Sequence, residues 1–392
     1  KFDKLNILIV GSGAYVIGSN ENEFGTILPA VLQFSLNDTV SKITIASRSL
    51  SKSSIFETKL RKLCDLIGST LLPECKQCDF TDDDDVNTFL NIHHYDVCII
   101  CVPDHLHCKI CLKLVNRKIH CLVVKPMACT VEEALLMQKA AKDNDVVCQV
   151  EFHKRLDHSN LILRDAVKNN NIGFPLYATV EYSQRKCIPL ETFSSWSANS
   201  NIFQYLGVHY VDLIYYITDF KPLSLHAWGQ KCLLKKSSLD TWDSIQVVIE
   251  WETPYEHTFI SSHITNWIDP NCSSAMSDQK INFVGTKGRF TADQKNRGVQ
   301  LVTDNSGVED INPYFSKSYN YKGDKIYKFE GYGISSVTQF LGDVISFKKN
   351  LRSLEWIESN RPSFSDGLIS TAVIDAVSKS LLSNEKVRIC YD

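Results

Sequence analysis

Along the first 150 residues, short apolar runs alternate with stretches whose apolar positions recur every three or four residues. The runs fall at 6–10, 42–46, 76–80, 97–102, 121–124 and 146–152, and most are rich in Ile and Val, as strands buried on both faces are. Helical spacing predicts helices from 26 onward and over 51–67, 85–91, 106–115 and 131–144. Such strand–helix repeats build a doubly wound parallel sheet. After Phe152 the texture changes: a helix over 160–169 is followed by strand-like runs at 176–182, 223–228, 244–251, 257–265, 280–284, 288–292 and 299–303. Strands without intervening helices imply a largely antiparallel sheet in a second, α+β domain. Two helical runs, 334–350 and 365–384, close the chain. The expected fold class is therefore α/β, with a parallel domain over 1–150 and a second domain over 151–392, on whose partner the last helices can pack back.

One segment interrupts the second set of strands. Over 201–217 the apolar residues Leu206, Tyr210, Leu213, Ile214 and Ile217 share one side of a helix. Tyr205, His209, Asp212 and Tyr216, stepping by four, three and four, share another.

Charge changes this picture by exclusion. The 392 residues carry a net charge of −3 with both signs scattered, which argues against a nucleic-acid or anionic-membrane partner. The acidic run at 82–85 reads as the start of a helix near Val86. No apolar stretch approaches the ~20 residues that span a bilayer, and neither a membrane span nor a signal peptide is expected. Fourteen cysteines invite a metal or disulfide reading, but their spacings do not sustain it. Cys98 and Cys101 point to opposite faces of a strand, and Cys108 and Cys111 fit a buried helix face. Cys75 and Cys78 lack a second pair at zinc-ribbon spacing. A reduced, cytoplasmic protein without a metal centre is expected.

Candidate chemistry collects where strands end. The first strand opens into Gly11-Ser12-Gly13-Ala14, the start of a turn that lets backbone approach a pyrophosphate. Val16 holds the place of a third glycine, and the helical run begins only near Thr26, so an insertion over about 15–24 is inferred. After the second strand, where an acid would hold an unphosphorylated ribose, the chain has Ser47, Arg48 and Ser49, with Lys52 beyond. Hydroxyls and a guanidinium suit a 2′-phosphate, so NADP(H) is favoured and NAD(H) is the second choice. The fifth strand ends at Lys125-Pro126, badly placed for packing and well placed for proton transfer. Its usual pKa, ~10.4, suits that task once desolvation or a neighbouring cation lowers it.

These residues carry a family resemblance. GSG after the first strand, YDVCIICVPDHLHCKICLKL, HCLVVKPMA, GVHYVDLIYYI, INFVGTKGRF and RPSFSDGL occur in the order and spacing of the glucose–fructose oxidoreductase / inositol dehydrogenase (Gfo/Idh/MocA) family, which the chain resembles along nearly its whole length. The resemblance implies a Rossmann domain, then a domain with an open, mostly antiparallel sheet, and oxidoreductase chemistry on a sugar or polyol. It makes Lys125 the catalytic lysine and His209 the catalytic histidine, with Asp212 orienting it. It places Val102, Pro103 and His107 beside the cofactor, and it implies a homodimer or homotetramer formed through the C-terminal sheet. His153, Arg155 and Trp196, with His209, are then the expected substrate contacts. Three departures stand out: Val124 replaces the family glutamate before the lysine, Tyr205 replaces an aspartate common one turn before the histidine, and the phosphate loop carries the insertion. Tyr205 reads either as a replacement proton donor or as an aromatic packing over the nicotinamide pocket. The alternatives to a dehydrogenase are a cofactor-binding sensor or scaffold without turnover and an NAD-assisted glycoside hydrolase.

Overall fold

The computed structural model describes residues 4–20, 23–48 and 54–392, and they divide into two units. The first comprises Lys1–Met127, Glu133–Leu156 and Tyr314–Ser365; the second comprises Ala128–Glu132, Asp157–Pro313 and Asp366–Asp392.

In chain order the first unit contributes β1 (Leu5–Val10), the one-turn α1 (Ala14–Ile17), α2 (Ile27–Ser35), β2 (Val40–Ser47), α3 (Ser54–Ile67), β3 (Glu74–Gln77), α4 (Asp83–Ile92), β4 (Val97–Ile100), α5 (His107–Val115), β5 (His120–Val124), α6 (Val131–Asp143) and β6 (Cys148–Glu151). The strands form one parallel sheet in the order β3-β2-β1-β4-β5-β6. Helices on its faces leave little room for polar side chains, so Ile7, Ile9, Val97, Ile99 and Leu122 are buried against Leu28, Val31, Leu63, Val337, Phe340 and Leu341. Asp82 caps α4 by accepting from the Asp85 N–H, so that helix begins three residues before Val86, with Asp83, Asp84 and Asp85 in its first turn. β3 ends earlier than the apolar run predicts, because Asp79 accepts from the N–H of Thr81 and turns the chain.

The second unit adds α7 (His158–Lys168), β7 (Pro175–Arg185), α8 (Val208–Thr218), β8 (Lys221–Gln230), α9 (Leu233–Lys236), β9 (Ser244–Glu252), β10 (Phe259–Asp269), β11 (Ser277–Gly285), β12 (Arg289–Asp293) and a small hairpin, β13 (Gln300–Thr303) with β14 (Gly307–Asp310). The run at 299–303 thus lies outside the main sheet, as part of that hairpin. The chain then re-enters the first unit through the β15 (Lys317–Tyr319) and β16 (Lys328–Glu330) ladder, α10 (Tyr332–Lys348) and α11 (Leu354–Asn360). It ends with α12 (Phe364–Ser383) and β17 (Val387–Arg388). The second unit's sheet runs β12-β11-β7-β10-β9-β8-β17, with β7 and β10 parallel and every other neighbour antiparallel. Alternation along its strands buries Ala178, Val180, Val247, Ile249, Phe259, Trp267, Ile281 and Phe283, and exposes Tyr177, Trp228 and Ile264. No helix among the described residues is long and apolar enough to cross a membrane.

Candidate functional site

The carboxyl ends of β1 and β2 form the first part of the site. Gly11 has φ +113°, and a Cβ there would lie 2.0 Å from the Cys101 carbonyl oxygen, so only glycine lets β1 turn away beneath β4. Gly13 is exposed, and a Cβ on it would meet nothing within 4 Å, which leaves backbone open to a ligand. Ser12 donates to Ser47 Oγ at 3.1 Å, tying the glycine turn to the end of β2. Arg48 follows on the exposed turn, near enough to Asp79 to help lower that carboxyl's pKa, which hydrogen bonds from Thr81 lower most. Ser49 and Lys52 lie outside the described residues. Open backbone, paired hydroxyls and an exposed guanidinium, with no acid at the end of β2, fit a dinucleotide. Ala14 opens α1, and its neighbour Tyr15 turns inward.

The ends of β4, β5 and β6 form the second part. Lys125 follows β5 at a cis peptide bond to Pro126 and is part-buried. Loss of water around its ammonium brings its pKa down from 10.5 to about 8, against the opposing pull of Asp104, Glu151 and Cys101. His107 is fully buried, with Nδ1 2.7 Å from the Pro126 carbonyl and Nε2 2.9 Å from the Val102 carbonyl. It therefore ties the loop carrying Val102 and Pro103 to the backbone beside Lys125, and burial lowers its own pKa. Glu151, the last residue of β6, is 1% exposed. It accepts from Tyr15 Oη at 3.1 Å and lies 2.8 Å from His153 Nδ1. His153 in turn stacks on Tyr332 and packs against Phe315. Arg155 is buried with its guanidinium over Phe152. Sequence reasoning passed over Tyr15, Cys101, Asp104 and Glu151. The available signal was a glutamate closing an otherwise buried strand, VCQVE.

The third group belongs to the second unit. His209 and Asp212 are buried on α8, 3% and 2% exposed, and the ring of Tyr182 lies 6.3 Å from that of His209. Tyr205 precedes them in a turn of π-helix, Phe203–Gly207, that runs into α8. The wider turn breaks the even spacing that the stripe assumes. The Tyr205 ring packs among Phe193, Trp196 and Trp267, at centroid distances of 5.1, 6.0 and 5.8 Å. Trp196 thereby belongs to an aromatic cluster, and Tyr216 carries the Arg164 guanidinium on its ring. Among the described residues no group of three or more His, Cys, Asp or Glu side chains could hold a metal ion, and the fourteen cysteines are free thiols.

Comparison with known proteins places these elements. Residues 5–152 match an oxidoreductase family with an NAD-binding Rossmann fold, Gfo/Idh/MocA, and residues 161–291 match the C-terminal domain of the same family. The chain is 25% identical over 287 residues to glucose-6-phosphate 3-dehydrogenase of Bacillus subtilis, a match that covers 71% of this chain and 77% of the relative. It is 23% identical over 214 residues to myo-inositol 2-dehydrogenase of Thermotoga maritima, covering 54% and 60% of the two chains. Scyllo-inositol dehydrogenase from Lactobacillus casei, solved with bound cofactor NAD(H) and scyllo-inositol, shares the fold over 99% of both chains, with a TM-score of 0.68 and 15% identity.

Proposed function

The chain belongs to the Gfo/Idh/MocA family of oxidoreductases, and we propose that it is an NAD(P)-dependent dehydrogenase or ketoreductase of a sugar or sugar derivative. The observation that carries this reading is Lys125: an ammonium at the carboxyl end of a parallel strand, with its pKa brought down to about 8. Hydride transfer between a carbinol carbon and the nicotinamide requires a proton to leave or reach the carbinol oxygen. Lys125 takes that proton in the oxidative direction and returns it in the reductive one. His209 serves as second proton carrier or substrate anchor, oriented by Asp212. Gly11, Ser12, Gly13 and Ala14 hold the dinucleotide phosphates. Ser47 and Arg48 hold the adenosine ribose and favour its 2′-phosphate, so NADP(H) is preferred. His107 acts on the cofactor side through the Val102–Pro103 loop that it ties down. Arg155 and Trp196 remain substrate contacts in this reading, and the exposed Tyr177, Trp228 and Ile264 support self-association through the second unit's sheet.

The relatives named above act on phosphorylated glucose and inositol, which supports screening hexopyranosides, inositols and their keto forms. Purified protein supplied with NADP⁺ or NAD⁺ and such a panel should show net nicotinamide reduction with at least one member, faster with NADP⁺. Tight cofactor binding with no turnover across the panel in either direction would favour the sensor reading. Glycoside cleavage without net cofactor change would favour the hydrolase.

A further inference from the structure

We infer that Glu151 is the positioning carboxylate of Lys125, held for that task by Tyr15 and His153. The inference rests on the proposed proton-handling role of Lys125, and its geometry lies wholly within the first unit.

The register supplies the first argument. β5 and β6 are parallel neighbours in which Val124 pairs with Glu151. Adjacent strands lie about 4.8 Å apart, so the carboxylate leaves the sheet opposite the residue that immediately precedes the lysine. A carboxylate counted as lost at position 124 is thus present one strand away. The second argument is burial. At 1% exposure, Glu151 has exchanged water for protein partners: the Tyr15 hydroxyl donates to it at 3.1 Å, and His153 Nδ1 lies at 2.8 Å. Tyr15 keeps its proton, because burial first and the Glu151 charge second raise its pKa well above the usual phenol value. It can therefore only donate to Glu151.

The insertion in the glycine loop gains a purpose from this contact. The Thr26 N–H meets the Tyr15 carbonyl at 2.7 Å, and Lys59 donates to the Gly18 and Asn20 carbonyls. The Thr26 contact holds the backbone of Tyr15, which lies 136 residues away in sequence from the carboxylate it serves.

Among the described residues, the groups facing Lys125 include Asp104, Glu151 and Cys101, and those facing Glu151 include Lys125, Tyr15, His153 and Cys101, with Tyr332 behind Tyr15. Burial alone would drive the lysine further toward its neutral form, and the carboxylates oppose it. Asp104 and, next to it in size, Glu151 thus hold Lys125 where both protonation states are available near neutral pH.

Competitive acetylation of Lys125, followed by mass spectrometry across the neutral-to-alkaline range, reads its titration without substrate or turnover. Wild-type protein should titrate near about 8. Glu151→Gln should lower the midpoint by about one pH unit, as the loss of a nearby opposite charge does. Glu151→Asp keeps the charge but withdraws it by one methylene; it should fall between the two, and it carries the test should the Gln variant not fold. The double variant Val124→Glu/Glu151→Gln, which moves the carboxylate across the ladder, should restore the wild-type midpoint. An unmoved midpoint in folded Glu151→Gln, or in Glu151→Asp, would overturn the inference while leaving Lys125 as proton handler. A wild-type midpoint near ~10.4 would instead remove the proton-handling reading itself, and the inference with it.

Discussion

The two sets of proton-active residues are assembled in opposite ways. Tyr15, Cys101, Asp104, Lys125 and Glu151 come from the ends of four strands and meet because a parallel sheet delivers every carboxyl end to one edge. Tyr205, His209 and Asp212 come from one continuous stretch of chain, His209 and Asp212 set by the spacing of α8 and Tyr205 by the π-turn before it. The first set is electrostatically knit: each charge is tuned by residues far away in sequence. The second is framed by aromatic rings, with Tyr182 beside His209 and three aromatics around Tyr205. Substitutions at the strand ends should therefore move the titration of Lys125, whereas substitutions along the helix should move packing and rate and leave that titration in place.

The largest effect expected is that of Lys125→Met. Loss of a general acid/base should slow the chemical step by ~10²–10⁴-fold while cofactor affinity stays nearly constant. Equal loss of cofactor binding and rate would reassign the lysine to the binding site. The same variant should be more stable than wild type at neutral pH, by on the order of 2 kcal/mol, because folding penalises the charged lysine. The sign follows from proton counts. Between about 8, the folded pKa, and 10.5, the unfolded one, the unfolded chain binds more protons, so wild-type stability rises with pH. The advantage of Lys125→Met should accordingly be full below pH ~8 and vanish as pH rises through ~10.5, which denaturant titrations at several pH values would follow. His209→Asn should cost about 10²-fold in rate while Lys125 still titrates at about 8, which would separate its role from that of the lysine.

The same contrast explains what could be read from sequence. Runs such as Asn6-Ile7-Leu8-Ile9-Val10 announce a strand covered on both faces, and GSG followed by KPMA locates two strand ends, so the parallel sheet and Lys125 were legible. Cross-strand neighbours were not. Nothing in the spacing of Val124 and Glu151 says that they pair, because register is set by packing of the whole sheet. Along the helix the reverse holds: spacing brought out Tyr205, His209 and Asp212. It could not reveal the π-turn at Phe203–Gly207, where a Cβ on Gly207 would lie 2.5 Å from the Phe203 ring.

Arg48 tests the outer limit of the electrostatic region. It is exposed at the end of β2, so an ion pair to a 2′-phosphate there is screened and worth about 1 kcal/mol. Arg48→Ala should weaken NADP(H) by roughly five- to tenfold and leave NAD(H) almost unaffected, read by fluorescence titration of the reduced cofactors. Equal effects on both would take the 2′-phosphate contact away from Arg48 and leave Ser47 as the residue to examine.

The smallest effect belongs to Tyr205→Phe, and it decides what the aromatic frame is for. A phenol that gives a proton to substrate should cost ~10²-fold or more when its hydroxyl is removed. A ring that packs among Phe193, Trp196 and Trp267 keeps its area and its edge-on contacts as phenylalanine, so rate should change by less than about threefold. The packing role predicts the larger loss for Tyr205→Ala, since removing a whole ring opens a cavity beside Trp267, which is fully buried and donates to Gln184 Oε1 at 2.9 Å. Stability measured for both variants, with kcat for each, separates the two roles: a Phe variant near wild type in both, against an Ala variant lowered by about 3 kcal/mol, assigns Tyr205 to the frame and leaves proton handling in the second unit to His209.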